Sequence, residues 1–219
     1  MICFENVHKT YGQGRAKNCV ADGISGMFPS GVSVGLLGRN GAGKSTLLAM
    51  IAGLEKTDFG RVTTTGSVSW PVGFAGSFHP DLTGSQNVRF IARVYGVDTD
   101  ALVDFVKEFS QLGTHLKQPL RSYSSGMRAR LAFGASMGIS FDTYLVDEVT
   151  SVGDAAFRSR SAEVFRDRMS HSGAVVVSHS LDQIRNLCQA TAVLDKGRLR
   201  YFESVEEGIA CHRRLLELD

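Results

Sequence analysis

The chain has 219 residues, 43% of them hydrophobic and 21% charged, with a formal net charge of +2. That is enough apolar material for one globular α/β domain, and too small a positive excess, without any block of like charges, for a nucleic-acid binder. Cys3, Cys19, Cys188 and Cys211 form no Cys-x-x-Cys pair, which points to reduced thiols in a cytosolic protein and away from a disulfide frame or zinc site. The start lacks a basic, apolar leader, and no window approaches the roughly 18 apolar residues of a membrane span, so any membrane-spanning part is expected from a partner.

Along the chain, about the first 70 residues are glycine-punctuated and rich in β-branched stretches, as in Arg61 to Trp70, and read as short strands. Within them the apolar run Val32 to Leu37 leads into Gly38, Arg39, Asn40, Gly41, Ala42, Gly43, Lys44, Ser45 and Thr46, and then into Leu47 to Ala52. Strand, glycine loop and helix in that order make a complete phosphate-binding P-loop. Its backbone N–H groups surround a β-phosphate, the helix N-terminus adds positive potential, Lys44 reaches the β/γ oxygens and Ser45 ligates Mg²⁺. The loop predicts a nucleoside triphosphate site without choosing among the machines that share it.

From about Asp81 the period becomes helical. Val88, Ile91, Ala92, Val94 and Tyr95, then Leu102, Phe105, Val106 and Phe109, recur at spacings that imply an all-helical insert of about fifty residues. Leu120 to Ala135 read as a small-residue turn capping a strongly amphipathic helix, with Ser124 and Gly126 at an N-terminus able to receive an anion. Apolar strand runs return at Phe141 to Val146 and Ala174 to Val177, read as buried on both faces as a parallel sheet requires. The first ends in Asp147 and Glu148, one acid for the Mg²⁺ shell and one to polarise an attacking water. The second ends in Ser178 and His179, where a histidine can sense a γ-phosphate.

In this order the motifs resemble the ATP-binding subunits of ABC transporters over nearly the whole chain. The resemblance implies roles for Tyr11 in stacking on adenine, Gly38 to Thr46 as Walker A and Tyr123 to Met127, with Ser124, Ser125 and Gly126, as the signature. It further implies Tyr144 to Glu148 as Walker B, Ser151 to Asp154 as the D-loop and His179 as the switch histidine. The implied catalytic residues are Glu148, His179 and Lys44, the cofactors ATP and Mg²⁺ held by Ser45 and Asp147, and Asp154 lies at the nucleotide interface. The implied fold is a P-loop NTPase (RecA-like) α/β core with an N-terminal antiparallel β subdomain and an α-helical insert. One domain covers 1–219, with 1–80 and 136–219 as core and about 81–135 as the helical signature part.

Departures narrow the resemblance. The signature reads Tyr-Ser-Ser-Gly-Met in place of Leu-Ser-Gly-Gly-Gln, Val149 follows Glu148 where proline is usual, and the Q-loop segment Trp70 to Gly84 holds no glutamine, Gln86 coming too late. With Phe78-His79-Pro80-Asp81-Leu82-Thr83-Gly84, this is similar to the polysaccharide-exporter branch. The length favours a capsular-polysaccharide exporter over O-antigen or teichoic-acid exporters, and a soluble ABC-type ATPase outside transport is the rival. The resemblance implies a homodimer sandwiching two ATPs, with integral membrane permease subunits and periplasmic or outer-membrane export components as partners. Phe74 to Thr83 would receive the permease, and the location would be peripheral, on the cytoplasmic face of the inner membrane.

Overall fold

A computed structural model describes residues 1–12, 18–73, 76, 78–147 and 154–217. Among these, residues within Met1–Pro71, Phe141–Glu148 and His171–Asp219 form one compact unit, and those within Val72–Ser140 and Val149–Ser170 form another. The chain is α/β, with the described strands in the first unit and helices alone in the second.

The first unit is organised by β3 (Ser33–Leu37), whose five residues are all buried. Burial on both faces follows from its place between β7 (Gly173–Val177) and β8 (Ala190–Asp195), with both of which it runs parallel. Adding β6 (Thr143–Asp147), β5 (Val68–Pro71) and the antiparallel edge β9 (Arg198–Phe202) gives a six-stranded sheet in the order β5-β6-β7-β3-β8-β9. A three-stranded antiparallel sheet, β2-β1-β4, comes from β1 (Ile2–Tyr11), β2 (Asn18–Phe28) and β4 (Phe59–Thr64).

On one face of β3, Val34 and Leu36 join Val175, Val177 and Leu145 in a core closed by Leu47, Leu48, Met50 and Ile51 of α1 (Lys44–Ile51) and by Ile2, Phe4, Val7, Ile24 and Phe28 of the antiparallel sheet. The other face takes α6 (Leu181–Leu187) and α7 (Val205–Glu217). Space there is short: a Cβ on Gly35 would lie 2.7 Å from Ile184 of α6, and one on Gly208 of α7 would overlap the Thr191 side chain of β8.

The second unit holds α2 (Gly84–Val94), α3 (Thr99–Ser110), α4 (Ser125–Gly138) and α5 (Ala155–His171). Each of the first three starts on a side-chain cap, Thr83, Asp98 and Ser124 respectively. Gln86 completes the capping box of α2 by accepting from Thr83 N at 2.9 Å, so its position serves the helix start. Phe109 of α3 stacks on Phe133 of α4 and meets Phe157 of α5 edge-on, at centroid distances of 5.6 and 5.2 Å.

Two local expectations change. Helix α4 is not amphipathic, because every residue from Leu131 to Met137 is buried, and Gly134 and Gly138 let α3 close on it. Val94 and Tyr95, expected on the apolar stripe of α2, are exposed, as is Phe90. In the Q-loop segment, Phe74, Ala75 and Ser77 lie outside the described residues, while buried Asn87 fastens the end of it. Its Oδ1 accepts from His79 N at 2.7 Å, and its amide donates to the His79, Leu82 and Thr83 carbonyls. No helix among the described residues is long and apolar enough to cross a membrane.

Because α7 has no room over β8, Gly208→Ala is expected to destabilise the protein by ~1–3 kcal/mol, the usual cost of overpacking. A thermal melt will show a midpoint lower by several degrees, whereas Gly126→Ala, at an open position, leaves it nearly unchanged.

Candidate functional site

The parallel register brings three strand ends to one edge: Leu37 of β3, Val177 of β7 and Asp147 of β6, the last two being direct partners. Carboxyl ends of parallel strands are where open α/β sheets bind ligands. The chain turns there from β3 into α1 through the glycine loop. A Cβ on Gly38 would sit 2.5 Å from the Leu194 carbonyl oxygen, and Gly43, the residue before α1, adopts φ 100°, the left-handed region. No side chain caps α1 at Gly43. Lys44 folds back so that its ammonium donates to the Gly38 and Arg39 carbonyls at 2.8 and 2.9 Å, holding the loop in a ring.

A cleft of about 420 Å³ opens over this loop. Asn40, Gly41, Gly43, Lys44, Ser45 and Thr46 line it together with Val177 and His179 from the β7 end and with Tyr11, Asn18 and Val20 from the antiparallel sheet. Tyr11, expected as a stacking aromatic, is 41% exposed there. Its ring lies 5.0 Å from the ammonium of Lys9, two residues earlier on the same face of β1. That ammonium is fixed by Glu55 at 2.6 Å, the Lys56 carbonyl at 2.9 Å and Asp58 at 3.3 Å. The Lys9 bond holds the Glu55 carboxyl below its ordinary range, with a smaller contribution from the Tyr11 hydroxyl.

Ser178 and His179 follow β7 as expected. The Ser178 hydroxyl donates to Gln183 Oε1 at 2.6 Å and accepts from Ser180 N at 3.0 Å, so the start of α6 shapes the turn that presents an exposed His179. Gly38 and Arg39, with Asn40, Lys44 and His179, also line an adjoining cleft of about 480 Å³ that includes His212 of α7. Burial, and then the charge of Lys44, keeps the His212 imidazole below its ordinary range. Ala42 lies within the loop, donating to the Arg39 carbonyl at 3.1 Å. Glu148, Ser151, Val152 and Gly153 lie outside the described residues.

In the second unit the Ser124 hydroxyl caps α4 by accepting from Met127 N at 3.2 Å, and Ser124, Ser125 and Gly126 are exposed. Tyr123 is buried, and its hydroxyl anchors the turn on the His115 carbonyl at 2.6 Å. Asp154 caps α5 through Phe157 N at 2.8 Å and pairs with Arg130 of α4 at 2.7 Å, and these contacts hold its carboxyl below the usual range. Motif reading missed Lys9, Glu55, Val20 and His212. The alternation of Lys9 with Tyr11 on one strand face was an available signal for the first, while His212 belongs to no motif.

Comparison with known proteins gives a consistent result. The ABC transporter family profile matches residues 21–151. The chain is 43% identical over 222 residues to the polysialic acid transport ATP-binding protein KpsT of Escherichia coli, covering 100% of this chain and 99% of that protein. It is likewise 43% identical to the capsule polysaccharide export ATP-binding protein CtrD of Neisseria meningitidis serogroup B, over 98% of this chain and all of that one. Among solved structures, the ATP-binding cassette MJ0796, a dimer in a post-hydrolysis state bound to ADP and Pi, superposes with a TM-score of 0.75 at 19% identity over 92% of this chain and 97% of its own.

A methyl group at Gly43 would meet Val20 in a backbone conformation unfavourable to any L side chain. Gly43→Ala is therefore expected to weaken binding of a fluorescent nucleoside triphosphate roughly 5- to 150-fold, as strain of about 1–3 kcal/mol implies, with the circular dichroism spectrum retained.

Proposed function

Since the chain belongs to the ABC transporter family, we propose that its hydrolysis of ATP powers export of a capsular polysaccharide across the inner membrane. Full-length identity of 43% to two transport and export ATP-binding proteins of that class carries this reading. The cleft over the P-loop fits the substrate. Tyr11 offers one ring face to adenine while Lys9 lies against the ring, and the Lys44 ammonium can exchange its carbonyl partners for β- and γ-phosphate oxygens.

Ser45 and Asp147 present a hydroxyl and a carboxylate, the hard oxygen donors that suit Mg²⁺, which when bound with ATP neutralises charge on the β- and γ-phosphates. Glu148 accepts the proton of the attacking water as its oxygen bonds to the γ-phosphorus, and the bond to the bridging oxygen breaks with its electron pair leaving on ADP. His179 orients the γ-phosphate from the end of β7.

Two copies are needed in this reading. Ser124 to Gly126 form an exposed helix N-terminus suited to the γ-phosphate of ATP held by a second copy, and Asp154, paired with Arg130 of the same helix, would lie at the same interface. The permease would seat against the Phe74 to Thr83 segment, of which residues 79–83 are fastened by Asn87, and against the exposed Phe90 and Val94 of α2. That would place the chain on the cytoplasmic face of the inner membrane, linked through the permease to export components beyond it.

Co-expressed with the multi-span membrane protein of its own export locus, the chain is expected to co-purify with it and show vanadate-sensitive ATP hydrolysis. Turnover by the soluble chain with no membrane partner retained would overturn the transport reading. Glu148→Gln should lower turnover by roughly a hundredfold or more while an ATP-bound dimer accumulates on size exclusion. Tyr11→Ala should raise KM for ATP several-fold at nearly constant kcat, with Lys9→Met giving a smaller rise in the same direction, as loss of a stacked aromatic and of its positioning cation implies.

A further inference from the structure

The wall that the antiparallel sheet gives to the nucleotide cleft is shaped by an irregularity in strand pairing. Lys9 of β1 faces Ala21 of β2, but Thr10 faces Cys19, so Val20 is an extra residue on β2. Such a bulge re-aims the side chains beyond it. Val20 and Ala21 are both buried although they are consecutive, and Val20 lies where a Cβ on Gly43 of the glycine loop would meet it. Beyond the bulge Tyr11 pairs with Asn18. Without the extra residue, the partner of Tyr11 would be Cys19, and a thiol would replace a carboxamide beside the ring.

We propose that Asn18 is a specificity-determining residue, which reads the polar edge of the adenine stacked on Tyr11. Directly opposed residues of an antiparallel pair put their side chains on one face with Cβ atoms about 4.5–5.5 Å apart, so the amide stands beside the ring. Both residues are exposed and line the same cleft of about 420 Å³. A ring face attracts every base, so stacking alone neither selects a base nor fixes its direction in the plane. A group at the base edge does both. Adenine presents its 6-amino donor next to a ring-nitrogen acceptor, and an asparagine amide matches that pair, its oxygen accepting from the amino group and its N–H donating to the ring nitrogen. Lys9, the cation at this end, is already bonded to Glu55 at 2.6 Å and to the Lys56 carbonyl at 2.9 Å. Asn40, the other amide of the lining, belongs to the glycine loop and so to the phosphate end. Among the described residues the Asn18 carboxamide has no hydrogen-bond partner of its own.

This role rests on the ATP site assigned to the chain, and the two can fail separately. Binding of ATP and of purine riboside triphosphate, which lacks only the 6-amino group, is measured on the full chain by displacement of a fluorescent nucleoside triphosphate. The wild-type chain is expected to prefer ATP by roughly three- to tenfold, the scale of one or two neutral hydrogen bonds. In Asn18→Ala the affinity for ATP falls by a similar factor and the preference disappears, with the melting midpoint unchanged. Asn18→Asp keeps a preference for ATP, because a carboxylate still accepts from the 6-amino group.

A wild-type chain that binds both triphosphates equally overturns the role, as does an undiminished preference for ATP in Asn18→Ala. Equal weakening of both triphosphates by Asn18→Ala, with the preference retained, marks a merely structural asparagine at the start of β2. If that substitution weakens ATP but leaves 2′-deoxy-ATP as it was, the amide serves the ribose and the base-reading role is again lost. A wild-type chain that binds neither triphosphate would instead sink the ATP site on which the role stands.

Discussion

The burial of β3 on both faces is the constraint from which the site follows. Its neighbours β7 and β8 run in the same direction, so the chain can leave only at an edge where other strand ends also stop. Ser33 at the start has its N–H satisfied by Gln189 Oε1 at 2.7 Å, and Gly35 in the middle makes room for Ile184. A slip of one residue would put Leu36 against α6 and take an apolar side chain out of the core with α1. With the register thus pinned, Leu37 must end beside the Leu194 carbonyl, and only glycine fits at the next position.

Two lysines in the same unit show how environment divides labour between identical groups. Lys9 is held by Glu55 and Asp58, full charges that keep its ammonium in place beside the Tyr11 ring. Lys44 is held by two carbonyl oxygens, which are dipoles. A phosphate oxygen, carrying charge, competes better against a carbonyl dipole than against two carboxylates. The first lysine is therefore a fixture of the antiparallel sheet, and the second ties two carbonyls of the glycine loop together.

How far the sequence was legible depends on how local each signal is. The glycine loop, the strands before Asp147 and Ser178 and the cap of α4 are each written within about ten residues, and the α/β fold and the nucleotide cleft follow from them. The character of α4 was misread because Ser136, a polar letter in its second half, does not mark a solvent face. Ser136 donates back to the Ala132 carbonyl at 2.9 Å and is buried with its neighbours. Val94 and Tyr95 fit helical spacing and are nevertheless exposed, since periodicity identifies a stripe and tertiary packing decides how much of it is covered. Glu55 and His212 reach the site from 44 residues after Tyr11 and from the last helix. No short-range pattern carries such a juxtaposition.

Within the second unit, Arg130 links the two segments that the family resemblance sends to a dimer interface. Its guanidinium pairs with Asp154 at 2.7 Å and lies 4.9 Å from the Phe157 ring, so one side chain of α4 grips the first turn of α5 by charge and by stacking. Phe157 in turn packs on Phe109 and Phe133. Arg130 and the aromatic cluster hold the start of α5 against α4 and α3 in one arrangement. Mutual dependence of these two segments follows from a cation shared between them, and that cation is invisible to any motif that describes either segment alone.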